Sequence, residues 1–144
     1  MNIKIITIGQ PKLEFAKSGF AEYVKRLQFF HRVEIRHLKD GVKDKEVLKE
    51  GEGLFRIILD EQGKEFDSSR ELAEFLENKA VQGQGNICFI IGGPEGLSEK
   101  VKKHADLIWS LSRLTFPHDL AMVILVEALY RAGTISAGHP YHKE

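Results

Sequence analysis

Cysteine is almost missing from this chain, since Cys88 is the only one among 144 residues. A single thiol cannot form an intrachain disulfide, so the fold must be stable without covalent cross-links. Ile87 precedes Cys88, and the apolar residues 89–91 follow it, which predicts a small buried side chain. A chain without disulfides is typical of a reducing compartment, and we expect a cytoplasmic protein.

Long hydrophobic runs are also missing. No segment approaches the roughly 20 apolar residues that a membrane-spanning helix needs, so no membrane partner is expected. Lys4 lies within a short strand-like run, and this N-terminus has no signal-peptide pattern, so we expect the chain to be mature as written. No internal repeat and no linker rich in proline, glycine or serine divides the sequence. We therefore predict one domain over residues 1–144, large enough to fold around its own core.

Net charge is zero, with 21 basic and 21 acidic residues. A neutral chain lacks the basic excess that is typical of nucleic-acid-binding domains. The charges are unevenly distributed, however. Residues 1–50 hold 11 Lys and Arg against 7 Asp and Glu, whereas residues 51–144 hold 10 against 14. A basic face is possible on such a protein, although charge alone favours an ordinary solvated surface.

Short apolar runs alternate with helical patterns along the chain. Strands are predicted over residues 3–8, 32–38, 54–60, 87–91 and 106–111. Helices are predicted over residues 12–29, 68–80, 97–104 and 117–133, with Ser68 and Ser98 as N-caps. Residues 42–51 fit either a short charged helix or a loop, and residues 61–63 fit a turn. This order predicts a three-layer α/β domain with a mostly parallel sheet.

Ligands of such sheets bind outside the carboxyl ends of the strands. Three loops are expected there, after Leu59, Ile91 and Leu111. Glycine lets the backbone of the turn 92–96 (Gly-Gly-Pro-Glu-Gly) approach a ligand closely, although a plain strand-to-helix turn explains it equally well. The turn lacks the dinucleotide fingerprint and the P-loop lysine. The segment 109–118 can present backbone groups and apolar side chains to an adenine, or it is a connector with Thr115 as helix cap.

The predicted helix 117–133 is apolar on every face, which indicates burial on both sides. A second subunit or the core of the domain would provide that burial. Glu127 and Arg131 are four residues apart on this helix and can form an ion pair. Alternatively, the guanidinium of Arg131 can bind a phosphate.

The tail 139–144 (His-Pro-Tyr-His-Lys-Glu) concentrates titratable and aromatic groups at a terminus, where chains usually fray. Pro140 separates His139 from His142 and no third ligand is evident, so no metal site is predicted. The remaining histidines with charged neighbours, His31, His37 and His104, are predicted to lie on the surface.

Taken together, these segments resemble the RlmH family, bacterial methyltransferases of the SPOUT class that act on a pseudouridine in large-subunit ribosomal RNA. The resemblance covers the whole chain and is strongest in residues 90–144. It is carried by the segments 19–20, 22–23, 90–98, 109–112, 114–115, 117–118, 127–132 and 139–144.

The resemblance implies a deep C-terminal trefoil knot, which general topology rules would not suggest, and a homodimer built on the C-terminal helix. It also implies S-adenosylmethionine as methyl donor, without a metal, because the sulfonium is already electrophilic. The implied donor-binding residues are Leu59, Gly92, Leu111, Ser112, Arg113, Leu114, Thr115 and Phe116.

The acceptor of the family, N3 of a pseudouridine, must lose a proton before it attacks. His142 is the candidate base, and Tyr141 is a candidate to stack on or hydrogen-bond the base. Arg131 and Lys143 are candidates to hold a phosphate or the developing negative charge, and His118 is predicted to contact RNA. Two alternatives stay open: a SPOUT enzyme that acts on transfer RNA or on a ribose hydroxyl, and a non-catalytic ribosome- or nucleotide-binding module.

Overall fold

The protein was analysed as a computed structural model, which describes residues 1–142; the predicted RNA contact of Lys143 lies outside the described residues. Five strands form one sheet in the order β2-β1-β4-β3-β5, and every neighbouring pair is parallel. The elements along the chain are β1 (Asn2–Ile8), α1 (Glu14–Leu27), β2 (Arg32–Leu38), α2 (Asp44–Glu50), β3 (Phe55–Lys64), α3 (Ser69–Val81), β4 (Asn86–Ile91), α4 (Glu99–Lys102), β5 (Leu107–Trp109) and α5 (His118–Ser136).

The sheet lies between two layers of helices, each with its own apolar core. On one face, Ile5 and Phe89 pack with residues of α1, α3 and α5. On the other face, Ile6 and Ile90 pack with residues of α2 and α4. Side chains alternate between the two faces of a strand, so the continuous apolar runs of β1 and β4 fill both cores. The predicted three-layer parallel α/β architecture is confirmed.

Cys88 lies at the centre of the sheet and is fully buried, as predicted. Burial raises the pKa of its thiol to about 11, because the thiolate would lose its hydration in this apolar surrounding. The thiol is therefore protonated near neutral pH and packs as an apolar group.

The predicted turn at residues 61–63 is wrong, because β3 continues to Lys64 with an irregularity in its pairing to β5. Gly63 explains the continuation. A Cβ at this position would lie 2.5 Å from the carbonyl oxygen of Ile108, so only glycine lets the two backbones approach this closely. Strand β5, which pairs with β3 in the sheet, is shorter than predicted and ends at Trp109.

Helix α5 extends to Ser136, past the predicted end at Gly133. Gly133 does not terminate the helix but makes room for a neighbour, since a Cβ there would lie 2.7 Å from a ring carbon of Phe30. Gly138, which follows the C-cap residue Ala137, has the left-handed backbone that ends the helix, at φ +70°. Helix α1 begins at Glu14 and ends at Leu27, so it lies within the predicted range 12–29.

Both predicted serine caps are confirmed. Ser68 accepts the N–H of Glu71 at 3.1 Å, and Ser98 accepts the N–H of Val101 at 3.2 Å. The alternative role of Thr115 as a cap is wrong, because α5 begins after Pro117 without a side-chain cap. The ambiguous segment 42–51 forms the helix α2.

Two of the three histidines that were predicted on the surface are half-buried instead. Burial and the N-terminal charge lower the pKa of His31 to about 4. His37 hydrogen-bonds Thr7, and burial followed by the charge of His118 lowers its pKa. His104 is exposed, as predicted. Within residues 1–142, no helix combines the length and the apolar character needed to cross a membrane.

Candidate donor and acceptor sites

A cleft of about 810 Å³ opens at the carboxyl edge of the sheet. Residues 59–61 of β3 meet the loops that follow β4 and β5 there; the loop expected after Leu59 is part of β3 instead. Seven of the eight residues predicted to bind the methyl donor line this cleft: Leu59, Gly92, Leu111, Ser112, Leu114, Thr115 and Phe116. Arg113, the eighth predicted residue, is not part of the lining.

The turn 92–96 forms one wall of the cleft. Its backbone folds back on itself, since the N–H of Gly96 donates to the carbonyl of Gly93 at 2.9 Å. A Cβ on Gly92 would lie 2.9 Å from the carbonyl carbon of Gly96, and Gly96 itself has φ +75°. Glycine is therefore required at both ends of the turn for this wall to keep its shape.

The loop 111–116 forms the opposite wall and is fastened to the end of β3. Arg113 donates to the carbonyl oxygen of Glu61 at 2.6 Å and forms an ion pair with Glu65 at 2.9 Å. The hydroxyl of Thr115 donates to the Glu61 carboxylate. Arg113 thus holds the loop from outside the cleft. Sequence reasoning missed Glu61, because no motif connects it to a loop more than 50 residues later.

Carboxylates give the cleft a negative character. Asp60, Glu61 and Glu95 all line it. Lys102 lies 2.7 Å from Asp60 and lowers the pKa of that carboxyl, so Asp60 is ionised near neutral pH. Lys102 offsets the charge of Asp60, so the carboxylates of Glu61 and Glu95 are the ones that favour a cationic ligand over an anionic one.

The first turn of α5 contacts the turn 92–96 of the cleft and the start of α1. His118 lines the cleft, and its Nδ1 lies 2.8 Å from the carbonyl oxygen of Gly92. Asp119 is buried and accepts the backbone N–H groups of Lys12 and Leu13 at 2.8 and 2.6 Å. Asp119 therefore satisfies backbone donors at the start of α1, which has no side-chain cap of its own.

A second cluster lies on the other half of α5. The predicted ion pair is present, with Arg131 donating to Glu127 at 2.7 Å. The same carboxylate oxygen accepts the hydroxyl of Tyr141 at 2.8 Å, and the hydroxyl of Tyr23 lies 3.1 Å from that of Tyr141. Three residues predicted to serve catalysis, Arg131, Tyr141 and His142, thus lie together.

The contacts of the tail restrict what its groups can do. Burial and the hydrogen bonds with Tyr23 and Glu127 raise the pKa of Tyr141, so its hydroxyl is a hydrogen-bond donor and not a base. Arg131 lies 3.2 Å from Nδ1 of His142. Because a guanidinium only donates, Nδ1 accepts, and the neutral ring carries its hydrogen on Nε2. In this conformation, Nδ1 of His142 must leave Arg131 before it takes a proton.

We call the group formed by Tyr23, Glu127, Arg131, Tyr141 and His142 the tail cluster. Within one chain, this cluster is separate from the cleft. His118 and Arg131 are thirteen residues apart on one helix, which corresponds to about 20 Å. None of the residues from 122 to 142 lines the cleft. Within residues 1–142, no group of three or more His, Cys, Asp and Glu side chains is arranged to hold a metal ion.

Comparison with known proteins agrees with this geometry. A family model described as "Predicted SPOUT methyltransferase" matches residues 1–142. The chain is 47% identical to ribosomal RNA large subunit methyltransferase H of Deinococcus radiodurans, over 99% of both chains. The chain belongs to the SPOUT methyltransferase family, in its RlmH branch.

Solved structures show the same fold for this SPOUT methyltransferase. A probable methylase family protein from Haemophilus influenzae matches with a TM-score of 0.58 at 13% identity, covering 99% of this chain and 70% of the other. The methyltransferase AviRb from Streptomyces viridochromogenes, solved in complex with AdoMet, matches with a TM-score of 0.52 at 13% identity, over 96% and 58% of the two chains. The family predicted from the sequence is confirmed, and the protein is an enzyme that transfers methyl groups.

Proposed function

We propose that this enzyme transfers a methyl group from S-adenosylmethionine to N3 of a pseudouridine in large-subunit ribosomal RNA. The observation that carries the proposal is the cleft of about 810 Å³, in which residues 59–61 of β3 and the loops after β4 and β5 converge. The name of the Deinococcus radiodurans relative supports a ribosomal RNA substrate, and the AdoMet complex of AviRb supports the donor.

The donor fits the cleft by shape and by charge. The walls offer backbone groups of the turn 92–96 and the half-buried apolar side chains of Leu111 and Phe116 to an adenosine. The carboxylates of Glu61 and Glu95 complement a ligand that carries both an ammonium and a sulfonium group. The donor supplies a methyl group that its sulfonium already activates. The chain's own residues therefore have to bind, orient and exclude water.

The acceptor chemistry belongs to the tail cluster. N3 of the base must lose a proton, and negative charge then spreads over the neighbouring carbonyl oxygens. Arg131 and the Nε2–H of His142 are donors that can stabilise this charge. His142 serves as the base once its Nδ1 leaves Arg131. Tyr141 anchors the tail through Glu127, and Lys143 adds a positive charge from beyond the described residues.

A homodimer brings the cleft of one protomer and the tail cluster of the other together, since the cleft and the tail cluster lie apart within one chain. Leu13 and Phe15, at the start of α1, are 55% and 58% exposed, although both are large and apolar. Leu13 contacts Asp119 in the first turn of α5, and Leu120 and Ile124 in the first two turns of this helix are also partly exposed. Such a surface favours association with a second copy. The tail of one protomer then completes the cleft of its partner.

We further propose that the C-terminal segment is threaded as a trefoil knot, as the family resemblance implies. The convergence of the turn 92–96 and the loop 111–116 on one cleft supports it, because the chain must return there after β5 to begin α5. Tracing the path of the segment 107–136 relative to the turn 92–96 in a crystal structure tests this proposal. A chain that passes beside the turn without crossing a closed loop would contradict it.

Titration calorimetry with S-adenosylmethionine tests the donor site. We expect saturable binding to the wild-type chain and loss of binding in Gly92→Ala, whose Cβ would meet backbone at 2.9 Å. Gly85→Ala is the matched control, because its Cβ would make only ordinary contacts from 3.5 Å outward. No heat with the wild-type chain at millimolar donor would leave the non-catalytic binding module as the better interpretation.

A further inference from the structure

The ring of His118 is enclosed between two backbone segments. Nδ1 faces the turn after β4, where it lies 2.8 Å from the Gly92 carbonyl oxygen. Nε2 is buried and faces the loop after β1: a Cβ on Gly9 would lie 3.7 Å from it. His118 is half-buried. Its Nδ1 contacts the backbone of Gly92, and its Nε2 lies beside the backbone of Gly9.

The hydrogen-bond pattern fixes the tautomer of the neutral ring. A carbonyl oxygen only accepts, so Nδ1 carries the hydrogen and donates it to Gly92. Nε2 is then an acceptor, and it has no hydrogen-bond partner among the residues that the structure describes. The bond from Nδ1 to Gly92 is therefore the hydrogen bond through which this ring acts on the cleft.

That single bond determines the orientation of a peptide plane in the cleft wall. The C=O of Gly92 and the N–H of Gly93 belong to one planar unit and point in opposite directions. Holding the carbonyl against His118 therefore directs the Gly93 N–H away from the ring. Because neither flanking glycine has a Cβ, no side chain of these two residues restrains the rotation of this peptide.

We propose that His118 is a positioning residue for the methyl donor: it holds the Gly92 carbonyl and so keeps the turn 92–96 in its binding shape. The inference rests on the proposed function, because it assumes that the cleft binds S-adenosylmethionine. It gives His118 a role different from the RNA contact predicted from the sequence.

A pair of amide variants separates the two ring nitrogens. The side-chain nitrogen of asparagine stands where Nδ1 stands in histidine, whereas that of glutamine stands where Nε2 stands. We expect His118→Asn to retain most of the donor affinity, measured by calorimetry with S-adenosylmethionine. We expect His118→Gln to weaken donor binding by about tenfold, the effect of losing one hydrogen bond that shapes a site. His104→Gln is the control, since exposed His104 also hydrogen-bonds a backbone carbonyl, that of Lys100, but lies outside the cleft.

Each outcome decides the inference. Wild-type binding together with weak binding in His118→Gln and rescue in His118→Asn supports it. Equal donor affinity in all three proteins overturns it. Loss of RNA methylation in both variants at unchanged donor affinity overturns it too, in favour of an RNA contact. If His118→Gln does not fold, His118→Ala replaces it with the same expectation. Failure of the wild-type chain to bind the donor would contradict the proposed function instead.

Discussion

Asp119 shows how one buried charge can hold two helices in position. It is 8% exposed and accepts two backbone N–H groups from the start of α1. A carboxylate that accepts charge-assisted hydrogen bonds at a helix N-terminus is stabilised by the local dipole as well. Asp119 thereby links the start of α5, and with it the cleft, to α1.

Replacing Asp119 by alanine should destabilise the fold, because two partly buried backbone N–H groups lose their acceptor. We expect the free energy of unfolding in urea to fall by about 2 kcal/mol in Asp119→Ala. Asp119→Asn retains one side-chain oxygen as an acceptor, so its free energy of unfolding should fall by less. Asp67→Ala, at an exposed position, serves as the reference, and an equal loss in this variant would contradict the role assigned to Asp119.

The buried imidazole of His31 predicts a pH dependence of stability. Its folded-state pKa is about 4, below the ordinary value of about 6.5. Between these values the unfolded chain binds a proton that the folded chain does not, so stability falls as pH decreases from about 6.5 to about 4. Because the ring retains some solvent contact, we expect this loss to be about 1–2 kcal/mol.

Urea unfolding of His31→Gln across this pH range measures the effect. The variant should lose less stability on acidification than the wild-type chain, while His104→Gln should follow the wild type. If the free energy of unfolding changes with pH identically in His31→Gln and in the wild type, then His31 is protonated equally in the folded and unfolded states.

At the scale of the elements, local patterns predicted more than long-range contacts. The bounds of β2 and the caps Ser68 and Ser98 follow from residues at most a few positions apart, and they were correct. The turn at residues 61–63 and the end of α5 were wrong. Glycine normally indicates the end of a strand or helix. Gly63 and Gly133 instead leave space for residues that are distant in sequence, Ile108 and Phe30.

The same distinction applies to the candidate site. The cleft was predictable, because parallel strands bring their carboxyl ends to one edge. Tyr23 and Asp119 were not assigned any function from the sequence. Tyr23 meets Tyr141 across 118 residues, and Asp119 meets Leu13 across 106. A single sequence carries no signal for such pairs.

The tail is the element on which acceptor chemistry depends most. Deleting residues 139–144 should abolish methyl transfer and leave donor binding intact, because the cleft lining includes none of these residues. Methyl transfer from labelled donor and calorimetry on the same protein separate the two effects. Tyr141→Phe keeps the ring that packs on Tyr130 but loses the bond to Glu127, and it should reduce transfer less than the deletion. Full activity after the deletion would remove Tyr141 and His142 from the mechanism.

At the scale of the whole molecule, the distance between cleft and tail predicts that activity requires two chains. Phe15→Asp places a charge on the exposed apolar surface of α1 and should produce monomers in sedimentation experiments, with little activity. Val81→Asp is the matched control, because Val81 is 86% exposed on α3 and lies away from this surface. An active monomer would contradict the shared site.

The central claim is methylation of a pseudouridine at N3 in large-subunit ribosomal RNA. Mass mapping after incubation of the purified protein and S-adenosylmethionine with ribosomes from a strain that lacks this activity tests it most directly. We predict a single new methyl group, on N3 of one pseudouridine of the large-subunit RNA. A methyl group on a ribose or on transfer RNA, or no methyl transfer by a chain that binds the donor, would contradict the claim.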